Sequence, residues 1–344
     1  VEKLNVAVVG AGLLGTRHVR VFSEQANAQV VAVVDVNVAR AEAAAEKFGG
    51  QAYATLAAAL AAQNIHAVSI ATPDHLHHDL FVQALQAGKH VLVEKPLATT
   101  EAEARSMAQA AAQSNCTAMV NYSQRYVADH AWIKARIAAG EIGAPRMVIS
   151  VKFDTAHVPT TMLGNWSART SPLFFMSSHD LDLVHWFFES EPTDVVAHET
   201  RGTLQAQGIP VHDGINALVS YANGACANFH ASWIHPNSYP LVADGTMQII
   251  GSSGALTYNM RTRTAEMFNS VGGQSVVFTG AHTANEIGGK IAGAFVSSVQ
   301  QFIACIRTGR EPDTSPQRTL ATTLVQCAAI DSVRERRAVA VRYP

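Results

Sequence analysis

Three observations predict an α/β protein, with a doubly wound parallel sheet first and an α+β domain with a mostly antiparallel sheet after it. Short apolar runs alternate with helix-competent segments from Leu4 to Asn121, the pattern of parallel strands joined by helical crossovers. The first run ends in Gly10-Ala11-Gly12-Leu13-Leu14-Gly15, a G-x-G-x-x-G loop. From about Ser123 the runs lengthen and are separated by Asn223-Gly224 and Ser253-Gly254, turn pairs that join antiparallel strands. A chain of 344 residues outgrows one core, so two domains are expected, 1–122 and 123–344.

Leu4 to Val9 is long enough for a strand buried on both faces. After the glycine loop, Thr16 to Gln25 is helix-competent, and Val30 to Val34 forms a second strand closing on Asp35. In this context Gly10 permits the tight turn, Gly12 lets backbone approach a pyrophosphate, and Gly15 lets helix pack on strand. The phosphates would sit on the N–H groups of the helix start, at Leu13 and Leu14. Asp35 is placed to accept from an adenosine ribose and would repel a 2′-phosphate, which favours NAD over NADP; Arg40 argues the other way. Alanine-rich helices are expected over 38–48 and 55–63. Strand 66–71 then ends in Thr72-Pro73-Asp74-His75-Leu76-His77-His78, and strand 90–93 ends in Glu94-Lys95-Pro96. Helices 80–87 and 100–114 and strand 117–121 complete the first pattern. Ala71, Thr72 and Pro73, with the glycine loop and Glu94 to Pro96, therefore gather at the carboxyl ends of the strands, where such sheets bind ligands. Beyond Ser123, helix 128–139 precedes strands 146–154, 193–204, 215–221, 225–233, 247–251 and 255–258, and helices resume at 292–308 and 316–335. The glycine-rich stretch 271–293 reads as a mobile loop.

Lys95 is the sharpest chemical candidate. It ends a buried strand, and Pro96 directs the chain after it, so its ammonium would point into a cleft between the domains. Desolvation and a nearby nicotinamide cation would disfavour the charged amine, as a general base requires; the alternative is a lysine that salt-bridges a domain interface. His179 lies in Ser178-His179-Asp180-Leu181-Asp182, opening a helix whose Leu181, Val184, Phe187 and Phe188 share a face. It could position a hydroxyl and shuttle its proton, with Asp180 and Asp182 stabilising the helix start. His75, His77 and His78 match no standard metal spacing; one of them is expected to line a cofactor cleft and the others to face solvent. Trp166 and Arg169 could cover a nicotinamide or contact substrate, or be an interface tryptophan and a surface arginine.

Hydrophobic residues make up 48% and charged residues 15% of the chain, which excludes a disordered composition. A net charge of −2 gives no general attraction for nucleic acid or anionic membranes. No apolar run reaches the length of a membrane span. The first strand begins at Leu4, leaving no room for a signal peptide, so a cytoplasmic location is expected. Cys116, Cys226, Cys305 and Cys327 are far apart and read as reduced, mostly buried thiols rather than a disulfide framework or metal site.

The glycine loop, Ala71-Thr72-Pro73 followed by His77, and Glu94-Lys95-Pro96 together resemble the glucose–fructose oxidoreductase / inositol dehydrogenase / MocA family. Gly140-Glu141-Ile142-Gly143, His179-Asp180-Leu181-Asp182 and Ile250-Gly251-Ser252-Ser253-Gly254 extend the likeness over nearly the whole chain. The resemblance implies an N-terminal Rossmann domain and a substrate-binding domain whose open-faced sheet forms oligomer contacts, in a homodimer or homotetramer. It implies NAD(P)-dependent hydride transfer at a hydroxyl or ketone of a sugar, cyclitol or derivative. Lys95 matches the family's catalytic lysine and His179 its active-site histidine. Cofactor contacts are expected at Gly10, Gly12, Leu13, Leu14, Gly15, Asp35, Arg40, Ala71, Thr72, Pro73, His75, His77, Glu94, Lys95, Pro96 and Asn121. Substrate contacts are expected at Lys95, Tyr122, Arg125, Trp166, Arg169 and His179, with no metal. One position departs: many relatives carry an aspartate four residues before the histidine, where this chain has Phe175, which cannot orient the imidazole. That departure keeps open an NAD-retaining lyase or glycosidase-type enzyme. The resemblance also leaves open a non-catalytic dinucleotide-sensing regulator, since some relatives of this fold have lost catalysis, although the intact Lys95 argues against it.

Overall fold

Strand β1 (Leu4–Val9) is buried on both faces, with Val6, Ala7 and Val8 fully inaccessible, and it pairs in parallel with β2 (Ala28–Val34) through helix α1 (Leu13–Ser23). The computed structural model describes residues 2–262, 264–269, 276–279 and 285–343. The chain continues through α2 (Val38–Phe48), β3 (Gln51–Tyr53), α3 (Leu56–Ala62), β4 (Ala67–Ile70), α4 (His77–Gln86), β5 (His90–Val93), α5 (Glu101–Gln113) and β6 (Ala118–Val120). The sheet order is β3-β2-β1-β4-β5-β6, all parallel. Right-handed crossovers that leave β1 in opposite directions put their helices on opposite faces. The order reverses between β1 and β4, which opens a crevice beyond their carboxyl ends, as in Rossmann folds. Local sequence sets several helix starts: the Thr55 and Thr100 hydroxyls accept from the N–H groups of Ala58 and Glu103, each satisfying an otherwise unpaired donor.

The second unit opens with α6 (Ala128–Ala138) and the long strand β7 (Pro145–Thr155). After α7 (Pro172–Phe175) and α8 (Ser178–Phe188) come β8 (Pro192–Thr200), β9 (Gly214–Tyr221), β10 (Cys226–His235), β11 (Ala243–Gly251), β12 (Gly254–Asn259), β13 (Thr264–Asn269) and β14 (Val276–Thr279). With β17 (Val339–Ala340) they form a nine-stranded sheet, in the order β14-β13-β12-β11-β7-β10-β9-β8-β17. Only β7 and β10 run parallel; the other neighbours are antiparallel. The Leu181, Val184, Phe187 and Phe188 face of α8 is buried, as its spacing predicts.

Between β14 and β17 in the chain, β15 (Asn285–Ile287) and β16 (Lys290–Ala292) form a hairpin, followed by α9 (Ala294–Thr308) and α10 (Pro316–Glu335). Part of the expected mobile stretch, 271–275 and 280–284, lies outside the described residues. The division of the chain differs from the expected simple boundary. Residues 1–123 and 283–320 form one unit, and 124–282 with 321–344 the other. The first break falls after β6, and the chain later returns to the first unit. Helix α9 buries Phe295, Val299, Phe302 and Ile303 there, and Phe295 meets the His18 ring of α1 edge-on at 4.8 Å. Among the described residues no helix is long and apolar enough to cross a membrane. Among the described residues none of the four cysteines forms a disulfide; Cys305 is buried and the other three are only half-buried.

Candidate active site

The glycine loop is shaped by what its neighbours forbid. Gly10 has a φ of +94°, and a Cβ there would stand 2.6 Å from the Ala71 carbonyl oxygen. A Cβ at Gly15 would lie 1.8 Å from the Gly10 oxygen, so only glycine lets α1 begin this close to the loop. Gly12 is different: no protein atom lies within 4 Å of a Cβ placed there. The space beside it is kept clear although packing does not demand it. Helix α1 starts at Leu13 with no side-chain cap and no acidic residue in its first turn, leaving N–H groups for an anion. Leu13 and Val36 are 70% and 95% exposed, apolar surface beside the loop and the β2 end of the kind that flanks a flat heterocycle. Thr72 Oγ1 is buried without a hydrogen-bond partner. The cleared space, free helix start, apolar flanks and orphaned hydroxyl fit a dinucleotide.

Asp35 stands at the end of β2, as expected. Its Oδ2 accepts from Ala11 N–H at 2.7 Å and its Oδ1 from Asn37 N–H at 2.8 Å. The carboxylate thus ties the glycine loop to β2 and keeps lone pairs for a further donor. Arg40 is exposed on α2.

At the ends of β4 and β5 the structure corrects several expectations. His77 neither lines a cleft nor faces solvent; it is 1% exposed, with Nδ1 2.9 Å from the Pro96 carbonyl and Nε2 3.2 Å from that of Thr72. Burial lowers its pKa against the pull of Asp74, and the ring clips the turn after β4 to the turn after β5. His78 bridges Asp79 and Ser106 on α5. His75 is partly exposed beside Asp74, 3.7 Å away. Among the described residues no group of three or more His, Cys, Asp and Glu side chains has the geometry to hold a metal ion. Lys95 is half-buried directly after β5, joined to Pro96 by a cis peptide bond. The Glu94 and Asn121 side chains turn inward and bond each other and their neighbours, so a nucleotide contact from either falls to the main chain. Tyr122 is fully buried.

In the second unit, His179 occupies the first turn of α8 and is half-buried. Asp180 stands in the first turn, as expected, and both neighbouring aspartates are in addition halves of buried ion pairs. Arg125 Nε and Nη2 donate to the two oxygens of Asp182 at 2.7 Å each, and the guanidinium lies over the Trp186 ring. Arg125 is thereby tied to α8. Lys152 Nζ reaches Asp180 Oδ1 at 3.4 Å. Burial pushes the Asp180 carboxyl up against the opposing pull of Lys152. Lys152 is held protonated because Asp180, Tyr258 and Asp154 outweigh its own burial. Sequence reading missed Lys152. Its signal was Ser150, Lys152 and Asp154 in succession on the strand face where alternation predicts apolar residues. Phe175 packs 6.0 Å from Trp166 and 6.5 Å from Trp233, beside a core of Val158, Leu163, Met176, Leu204 and Val211. Trp166 is part of this aromatic row, and Arg169 is exposed.

These features define a dinucleotide-binding oxidoreductase, and comparison with known proteins agrees. Residues 4–122 match the oxidoreductase family with an NAD-binding Rossmann fold, and residues 130–257 match the GFO/IDH/MocA C-terminal domain. The chain is 28% identical over 339 residues to an inositol 2-dehydrogenase of Rhizobium meliloti (strain 1021), covering 97% of this chain and 98% of that one. It is 31% identical over 266 residues to an inositol 2-dehydrogenase of Arthrobacter sp. (strain FB24), covering 74% and 76%. An oxidoreductase domain protein from Kribbella flavida shares the fold with a TM-score of 0.87 at 21% identity, covering both chains fully. The chain belongs to the GFO/IDH/MocA oxidoreductase family.

Proposed function

We propose that the protein transfers hydride between NAD and a hydroxyl or ketone carbon of a cyclitol, sugar or sugar derivative. The observation that carries this reading is the pairing, on one sheet edge, of the cleared space at Gly12 with Lys95 at the end of β5. The inositol 2-dehydrogenases among its relatives support the substrate class. Bound NAD supplies the hydride acceptor or donor at nicotinamide C4. Lys95 exchanges a proton with the substrate oxygen, and His179 holds that oxygen and assists. Asp35 selects NAD over NADP by refusing a 2′-phosphate. The decisive experiment is a screen of NAD- and NADP-linked absorbance change against a panel of cyclitols and sugars. Turnover with at least one such alcohol or ketone is expected; tight NADH binding without turnover on the whole panel would sink the reading.

Phe175 favours a second reading. It packs against Trp166 at a position where many relatives carry an aspartate, so an enzyme that retains NAD and oxidises only transiently before eliminating is tested on the same panel. Net NADH accumulates in the first case and not in the second.

We also propose a homodimer or homotetramer in the cytoplasm, assembled through the second unit's sheet. Met147, Ile250 and Phe268 are about two-fifths exposed and share one row across the strands, through Cys226 and Ala255. An apolar row of this kind is an association surface. Sedimentation should show a closed oligomer that Ile250→Glu weakens; a concentration-independent monomer would rule it out.

A further inference from the structure

Five buried side chains from five segments of the first unit form a hydrogen-bonded chain whose middle member, Glu94, directly precedes Lys95. Ser69 Oγ lies 2.8 Å from His18 Nδ1, and His18 Nε2 lies 2.8 Å from Glu94 Oε1. The Asn121 amide donates to the same carboxylate oxygen at 2.6 Å, and Ser298 Oγ donates to Asn121 Oδ1 at 2.6 Å. None of the five is more than 6% exposed.

Chemistry sets the direction of the bonds around the acid. An ionised carboxylate only accepts, so His18 Nε2 carries a hydrogen and Asn121 turns its NH₂ toward Glu94. That leaves the Asn121 carbonyl to receive the Ser298 hydroxyl, and every partner is matched. The second Glu94 oxygen accepts from the backbone N–H of Lys95 at 3.3 Å. Burial alone would raise the Glu94 pKa, but His18, the Lys95 charge and Asn121 together hold it below the ordinary carboxylate range. A buried ionic cluster of this kind is no cheaper than an apolar one of the same volume, so fold stability alone does not account for it.

We propose that Glu94, locked by His18 and Asn121, is a positioning residue whose fixed negative charge keeps Lys95 in its ammonium form until substrate arrives. The inference rests on the reading of Lys95 as the proton-exchanging group. A nearby anion favours a cation, and this one can neither rotate away nor meet solvent. Among the described residues, His18 on α1, Asp74 in the turn after β4 and His77 at the start of α4 are titratable groups of the same cluster. His77 is bound between two carbonyls and made less basic by burial. Glu94 is thus the acid joined directly to the Lys95 backbone. In the reducing direction the ammonium donates a hydrogen bond to the substrate's carbonyl oxygen and passes its proton to that oxygen as hydride reaches the carbon. In the oxidising direction it first releases a proton to solvent and then takes the alcohol's.

The test reads Lys95 directly. Competitive acylation with acetic anhydride across pH, followed by mass spectrometry of the Lys95 peptide, gives the titration midpoint of its amine. Glu94→Gln should lower that midpoint by about one unit or more. In pH–rate profiles on a substrate found by the panel, the acid limb should move the same way. His18→Gln, which can still donate to Glu94, should keep the wild-type midpoint, whereas His18→Leu should lower it. This pair decides the matter if Glu94→Gln fails to fold. A wild-type midpoint in folded Glu94→Gln, or in His18→Leu, overturns the inference. Lys95→Ala separates the layers. If it retains turnover, the underlying reading of Lys95 fails. If it is inactive while the midpoints stay fixed, only the role of Glu94 fails.

Discussion

The carboxyl edge of the parallel sheet and the first turns of α8 both present polar groups, but they are built in opposite ways. At the sheet edge the main chain does most of the work: an uncapped helix start, a glycine with cleared space, and an aspartate held by two backbone N–H groups. At α8 the work is done by side chains from distant segments, with Arg125 bound to Asp182 and Lys152 to Asp180. A site made of backbone is written in a short motif. A site made of long-range pairs is written in residues that look unrelated until the chain has folded.

Substitutions at the two places should therefore fail differently. Removing the chemistry at the sheet edge is expected to cost the most. General acid–base groups contribute about a hundred- to ten-thousandfold, and Lys95→Ala should lose turnover at the upper end of that range. NADH binding should survive, since the glycine loop and Asp35 remain. His179→Ala should lose less turnover and more apparent substrate affinity. Comparing kcat, KM and NADH titrations of both variants checks the assignment, and a more damaging His179→Ala in kcat would reverse it.

At α8 the expected loss is of stability. Arg125→Met strands the buried Asp182 carboxylate, which should cost about 3–5 kcal/mol. The double variant Arg125→Met/Asp182→Leu should recover most of that, because no charge is left uncompensated. Urea melts of the wild type and both variants provide the comparison; equal losses in both variants would show that packing rather than charge is at stake.

Asp35→Ser returns to the sheet edge with a smaller effect. It removes the charge opposed to a 2′-phosphate, and the ratio of NADP-linked to NAD-linked kcat/KM should rise. An unchanged ratio would deny Asp35 the selecting role.

The smallest effect concerns acid stability in the second unit. Burial lowers His130 from 6.5 to about 4, and it lowers His185 from 6.5 to about 3. Below pH 6.5 the unfolded chain takes up protons that these rings refuse. Their contribution is complete above pH 6.5 and is lost as pH falls through the range toward 4 and then 3. Asp129, pushed up by burial to about 6, acts in the opposite sense, and its contribution is lost as pH rises through 6. Asp180 and Asp182, also raised by burial, share the sense of Asp129, and His212 shares that of the two rings, so the prediction is read at one ring. Between pH 7 and 4.5 the melting temperature of His185→Gln should fall less, relative to its value at pH 7, than that of the wild type.

The sequence by itself determined the parallel sheet, its glycine loop, Asp35 and Lys95 at the carboxyl edge, and the buried face of α8. These follow from local periodicity and from steric rules that act within a few residues. The family pattern likewise placed His179 in the first turn of α8. Tertiary structure decided the rest. It drew α9 back to the first unit through the Phe295 contact with His18, and it buried Tyr122 and His77. It also turned Glu94 and Asn121 inward and paired Arg125 with Asp182 across 57 positions of sequence. Each outcome depends on which distant group supplies a hydrogen bond or opposite charge once water is excluded, and no local pattern carries that information.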